Sequence, residues 1–209
     1  MEKTKTLSFG SKASCDALVV IDAQNDFITG SLGFTGAQEA LRKMVSAVKR
    51  WNGHYIIATR DTHDDTYGTN DTIEERRLSV PHCRKDTAGW CIADALHDAW
   101  AKFAKTDDNR FEVLDKDRFV SFSLLDRIGS LTNPDSTIYI CGLVTDICVV
   151  SNALMLRSRR PKNRIVCISD ACASLTEDKH EAALKVMRSC YIDTLSLEEA
   201  CKEYDNGRN

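Results

Sequence analysis

The sequence predicts a three-layer α/β protein, a doubly wound, mostly parallel sheet of about six strands with helices on both faces. Three observations carry this. Short apolar runs alternate with longer segments of helical apolar spacing between residues 17 and 204. The runs are continuous rather than alternating in polarity, as in strands buried on both faces. No Gly-, Ser- or Pro-rich linker and no internal repeat interrupts the pattern, so the strand–helix–strand units wind right-handed into one sheet.

ALVVID (17–22) reads as the first strand. The segment 37–51 places Leu41, Met44, Val45, Val48 and Trp51 on one helical face. HYIIATRD (54–61) is the second strand and 89–103 the second helix. FEVLDK (111–116) is the third strand, followed by a short helix over 121–128. TIYICG (137–142) is the fourth strand, with a helix over 146–159, and RIVCISD (164–170) is the fifth. Thr176 caps a helix over 176–190 with acids in its first turn. YIDTL (191–195) is a sixth, edge strand, and 196–204 a final short helix. Residues 1–209 are read as one domain, with the polar residues 1–14 as a peripheral N-terminal arm. The stretch 62–88 is the longest without apolar periodicity, and a loop of that length inside a compact domain usually serves function.

Composition narrows the function. Lys plus Arg is 28 against 31 Asp plus Glu, a net charge of −3 with no basic stripe, so no nucleic-acid partner is expected. The runs ALVVI and YIIA fall far short of the roughly 18–20 apolar residues that span a bilayer, and no secretory signal opens the chain. No membrane partner is expected. The 9 cysteines sit mostly in apolar runs and include no C-x-x-C pair, which suits a cytoplasmic protein with reduced thiols rather than a disulfide or zinc-finger framework. A homo-oligomer is compatible with this composition.

Ligands of open α/β sheets bind beyond the carboxyl ends of the strands. The residues that end each run are Asp22, Asp61, Lys116, Gly142 and Asp170, and Cys148 falls in the first turn after the fourth strand. A first-turn thiol feels the positive end of the helix dipole, which lowers its pKa. Asp22, desolvated at the end of a buried strand, suits a general base. Lys116 would pair with Asp22 and hold developing negative charge. The competing readings are a small buried hydrophobe for Cys148, a solvated strand end for Asp22 and a surface lysine for Lys116; Asp26 reads as a turn or cap residue. Asp61, His63 and His82, with Glu74 or Glu75 as a fourth ligand, form a possible mixed N/O site for Zn²⁺, Mn²⁺ or Fe²⁺. The other reading of that set is loop residues satisfying turns.

Val20-Ile21-Asp22-Ala23-Gln24-Asn25-Asp26-Phe27 resembles the opening motif of the isochorismatase-like cysteine hydrolases, the superfamily that includes nicotinamidases. Thr59 to His63, Val80 to Cys83 with Gly89-Trp90, and Lys116 to Phe119 are similar to its metal-loop and lysine segments. Cys141 to Val149 resembles its nucleophile loop, and the match runs in order from about 16 to 195. The resemblance implies an Asp22–Lys116–Cys148 triad and a non-proline cis peptide at Leu143–Val144, with the Val144 and Cys148 N–H groups as the oxyanion hole. It implies hydrolysis of a small amide, nicotinamide first, through a Cys148 thioester, with Phe27 and Phe119 as ring walls and a divalent metal, Zn first, on the ring nitrogen. Nicotinamidases commonly have a second histidine after the Asp-x-His pair, where this chain has Tyr67, Thr69 and Asn70. The vinyl-ether hydrolysis of isochorismatase needs no cysteine, so Cys148 points to amides. Another small amide or a carbamoyl compound is the alternative substrate; a non-catalytic binding or thiol-redox relative is the third reading.

Overall fold

The computed structural model describes residues 7–69, 72–106 and 108–206. Six strands, β1 (Ala17–Ile21), β2 (Tyr55–Asp61), β3 (Arg110–Lys116), β4 (Thr137–Leu143), β5 (Arg164–Ala173) and β6 (Asp193–Leu195), form one sheet in the order β3-β2-β1-β4-β5-β6. Every neighbouring pair is parallel. All five residues of β1 are buried, which requires cover on both faces. That cover comes from α1 (Asn25–Ile28), α2 (Thr35–Arg50), α3 (Ile73–Arg77), α4 (Asp94–Phe103), α5 (Phe122–Leu131), α6 (Val150–Arg159), α7 (Glu177–Ser189) and α8 (Leu197–Asn206). α2 packs on β4, β5 and α4, while α5, α6 and α7 pack in succession. No helix among the described residues is long and apolar enough to cross a membrane.

The chain winds outward from β1 in both directions, so the crossovers reverse between β1 and β4. That leaves a crevice at their carboxyl ends, where such sheets bind ligands. The two strands meet there without side-chain spacers. A Cβ on Gly142, whose φ is +134°, would lie 2.1 Å from the Ile21 carbonyl oxygen.

Several boundaries differ from the periodicity. The helix expected from 89 begins at Asp94, because residues 89–93 are strapped across the end of β1. There Asp26 N–H donates to the Gly89 carbonyl, Asn25 N–H to Cys91 and Ala93 N–H to Ala23. The 62–88 stretch contains α3, capped by the Thr72 side chain. β5 runs on to Ala173 through a register shift. The expected cap on α7 forms, with Thr176 accepting from Lys179 N–H. The N-terminal arm is only partly peripheral. Residues 1–6 lie outside the described residues, but Phe9 is fully buried, with ring centroids 5.1 Å from both Trp51 and Tyr139. One aromatic side chain in a polar stretch was enough to draw the segment onto the core, at roughly 1.5–3 kcal/mol.

Candidate active site

Asp22 follows β1 in the left-handed region, φ +47°, which short polar side chains tolerate better than most. Its N–H donates to the Thr59 carbonyl, at 3.2 Å, and its Oδ1 accepts from Thr59 Oγ1 at 2.7 Å. Both residues are fully buried, so Thr59 fixes the carboxylate. Oδ2 lies 2.7 Å from Lys116 Nζ at the end of β3. Lys116 Nζ is also 3.4 Å from Asp61 Oδ1 and 3.6 Å from Cys148 Sγ. The three residues expected at the strand ends therefore converge, and Lys116 is buried rather than at the surface.

Cys148 sits in a π-helical turn, Thr145–Val149, that leads into α6. The Leu143–Val144 peptide before it is cis. The helix-start position does not by itself give a low-pKa thiol. Burial pushes Cys148 well above the ordinary value, and the Lys116 charge opposes this only in part. Burial also raises Asp22, against the pull of Lys116. For Lys116 burial acts downward, but Asp22, Cys148 and Asp61 hold it well above the usual lysine range. The resting arrangement is a protonated thiol beside a carboxylate of raised basicity, which is what proton transfer from sulfur to Asp22 needs.

Asp61 ends β2 beside Lys116, the two being register partners. Gln24 clamps it from both sides: Nε2 donates to the Asp61 carbonyl at 2.8 Å and Oε1 accepts its N–H at 2.7 Å. Asp61 Oδ2 is 2.9 Å from His63 Nε2 and 3.5 Å from His82 Nε2. Burial acts upward on Asp61, yet the bonds from His63 and His82 and the charge of Lys116 hold it well below the usual carboxylate range. His63 N–H donates to the Cys83 carbonyl and Lys85 N–H to the His63 carbonyl, which folds the long loop back and delivers His82. Asp26 holds turns rather than a helix end, accepting Cys83 N–H at 2.7 Å and Ser31 N–H at 3.2 Å.

One ligand atom from each of Asp61, His63 and His82 lies within 4.8 Å of the others, so this buried group could hold a metal ion. His82 Nδ1 donates to the Val80 carbonyl at 2.9 Å, which turns Nε2 toward the cluster, bonded to Asp61 when protonated and open to an ion when not. That orientation fits a ligand. Of the two glutamates, Glu74 lines the cavity but stands outside the three-atom group. Glu75 points elsewhere, accepting Gly68 N–H at 3.0 Å. Tyr67 sets its ring against both imidazoles, at 4.6 Å from His63 and 5.0 Å from His82. Asn70 lies outside the described residues.

Both halves open into one cavity of about 380 Å³, bounded by Phe27, Leu78, Phe119, Val144, Ile147 and Leu175. Phe27 lies 5.7 Å from the His82 ring, and Phe119 is 45% exposed at the mouth. Phe27 and Phe119 thus both line this cavity. Thr59, Gln24, Leu78, Ile147 and Leu175 were not anticipated. Thr59 and Gln24 carried a signal, each a polar residue two positions from a candidate acid. The three apolar residues carried none, since any buried-looking side chain reads alike.

An isochorismatase domain model matches residues 16–199. The chain belongs to the isochorismatase family. Within that family it is 25% identical to a nicotinamidase of Schizosaccharomyces pombe, over 86% of this chain and 92% of that one. It is 28% identical to a nicotinamidase/pyrazinamidase of Mycobacterium tuberculosis, over 85% and 96% respectively. The crystal structure of a Bacillus subtilis nicotinamidase superposes with a TM-score of 0.71 at 28% identity, covering 87% of this chain and 99% of that one. The strand ends of this isochorismatase-family sheet thus bring together a thiol, a carboxylate and an ammonium on one wall and an Asp-His-His group on the other.

Proposed function

We propose that the protein is a nicotinamidase, hydrolysing nicotinamide to nicotinate and ammonia. The carrying observation is that Lys116 Nζ touches Asp22, Cys148 and Asp61 at once, so the covalent chemistry and the Asp61–His63–His82 group share one cavity.

Asp22 takes the Cys148 proton as sulfur attacks the carboxamide carbon. The Val144 and Cys148 N–H groups receive the oxyanion. Collapse of the adduct expels ammonia, which leaves with the proton from Asp22, and a thioester remains. Water then attacks the thioester, Asp22 accepts its proton, and nicotinate leaves as the thiol is restored. Lys116 keeps Asp22 and the sulfur at fixed separation and balances negative charge at each stage. Phe27 and Phe119 flank the ring and exclude water. Asp61, His63 and His82 would hold a divalent ion, Zn²⁺ first by the donor set, with Glu74 as the adjoining carboxylate. When bound, that ion supplies a Lewis-acid contact that orients a ring nitrogen. Nine free thiols suit a reducing, cytoplasmic setting.

The test is ammonia release from nicotinamide by purified protein, compared with benzamide, which lacks the ring nitrogen. Turnover of nicotinamide that disappears in Cys148→Ala is expected. Turnover of a carbamoyl compound but of neither aromatic amide would move the assignment to the alternative substrate.

A further inference from the structure

Asn152 is fully buried on the first turn of α6, and its amide makes three hydrogen bonds. Oδ1 accepts the Ser121 N–H at 2.9 Å. Nδ2 donates to the Phe119 carbonyl and to the Cys148 carbonyl, each at 2.8 Å. An amide is suited to this place, since it offers two donors and an acceptor in one plane. A buried amide with one partner removed leaves the others unsatisfied, so the three bonds hold as a unit. The segments they join are functionally distinct. Cys148 carries the sulfur, whereas Phe119, which also lines the cavity, and Ser121 lie on the turn between Lys116 and α5.

We infer that Asn152 is a positioning residue. It cross-links the nucleophile turn to the segment that follows Lys116, and thereby sets both the sulfur–ammonium separation and the place of the Phe119 ring over the bound substrate. Its effect on substrate rests on the amidase reading; its effect on the thiol does not.

The experiment compares Asn152→Asp, which keeps the acceptor for Ser121 but loses both donors, with the uncharged Asn152→Leu. Two readouts need no substrate. The pH midpoint of Cys148 alkylation by iodoacetamide should rise in both variants as sulfur leaves the ammonium, and amide exchange across 119–122 should quicken at least tenfold. With nicotinamide, kcat/KM should fall about 10- to 100-fold, the scale of small misplacements of reacting groups. The loss should be shared between kcat and KM, and the KM part should be absorbed when Phe119→Ala is added. A lower melting temperature with kcat, KM and the alkylation profile unchanged at 25 °C would make Asn152 a structural residue only and overturn the inference. So would KM effects of Asn152→Asp and Phe119→Ala that multiply. If wild type leaves nicotinamide untouched yet the alkylation and exchange shifts appear, the substrate assignment fails and the positioning role stands. Should Asn152→Leu not fold, Asn152→Asp carries the test with Asn152→Ser as its uncharged partner.

Discussion

The two walls of the cavity are built on different principles. The sulfur wall draws on strand ends: Asp22 after β1, Lys116 ending β3 and Cys148 just past β4. The imidazole wall has one strand residue, Asp61, and takes both histidines from the stretch after β2, with His82 nineteen positions beyond His63 and past α3. The contrast extends to charge. Asp22 and Asp61 are both buried and share one lysine, yet burial carries Asp22 up while the histidines carry Asp61 down. The proton is held more readily by Asp22 than by an ordinary carboxyl group and less readily by Asp61. On the proposed reading, the groups that would exchange protons and bonds sit at or just past strand ends, and both imidazoles that would hold an ion come from the loop.

Breaking the sulfur wall should have the larger effect. Cys148→Ala should remove hydrolysis altogether, a loss on the order of 10⁴ or more, with circular dichroism unchanged. Asp22→Asn should cost roughly 10²–10⁴ in kcat, measured by ammonia release. Lys116→Met should also destabilise the fold, by about 3–5 kcal/mol in urea unfolding, because Asp22 and Asp61 are then left buried without their cation. Retained stability in that variant would mean the ammonium is dispensable to the sheet.

The imidazole wall should respond differently. His63→Ala or chelation should raise KM for nicotinamide by about 10–100-fold while slowing benzamide hydrolysis far less. Equal loss on both amides would erase the division between the walls. The smallest effect sharpens the ligand set: Glu74→Gln should weaken zinc binding several-fold by calorimetry, and Glu75→Gln should leave it within error, since Glu75 already holds Gly68 N–H.

The same division governs what was legible in the sequence. Strand-end residues are readable, because a continuous apolar run announces its own terminus, and Asp22, Asp61 and Lys116 followed from that alone. Cys148 follows from the same logic, but only its helix-start position is visible in a sequence; the depth of burial that pushes this thiol up is not. The loop gave His63 and His82 by residue type and could not choose between Glu74 and Glu75, which differ by the turn of α3. Phe9 escaped because one aromatic residue has no periodicity. Asn152 escaped because its partners lie four and about thirty residues away, and only the folded chain makes them neighbours.

Gly142 sets a limit on how such a protein can change over evolutionary time. Any larger residue there would meet the Ile21 backbone and push β4 off β1, spreading Asp22 from Cys148. The spacing of Asp22 and Cys148 is thus tied to the pitch of a parallel sheet, about 4.8 Å per strand, and drift is blocked at that position. The surrounding walls carry no such constraint: Phe119, Leu175 and Leu78 reach the cavity from turns and loops that tolerate replacement. Descendants of this chain are free to alter those walls, and with them what the cavity admits, while inheriting the Asp22–Cys148 spacing unaltered.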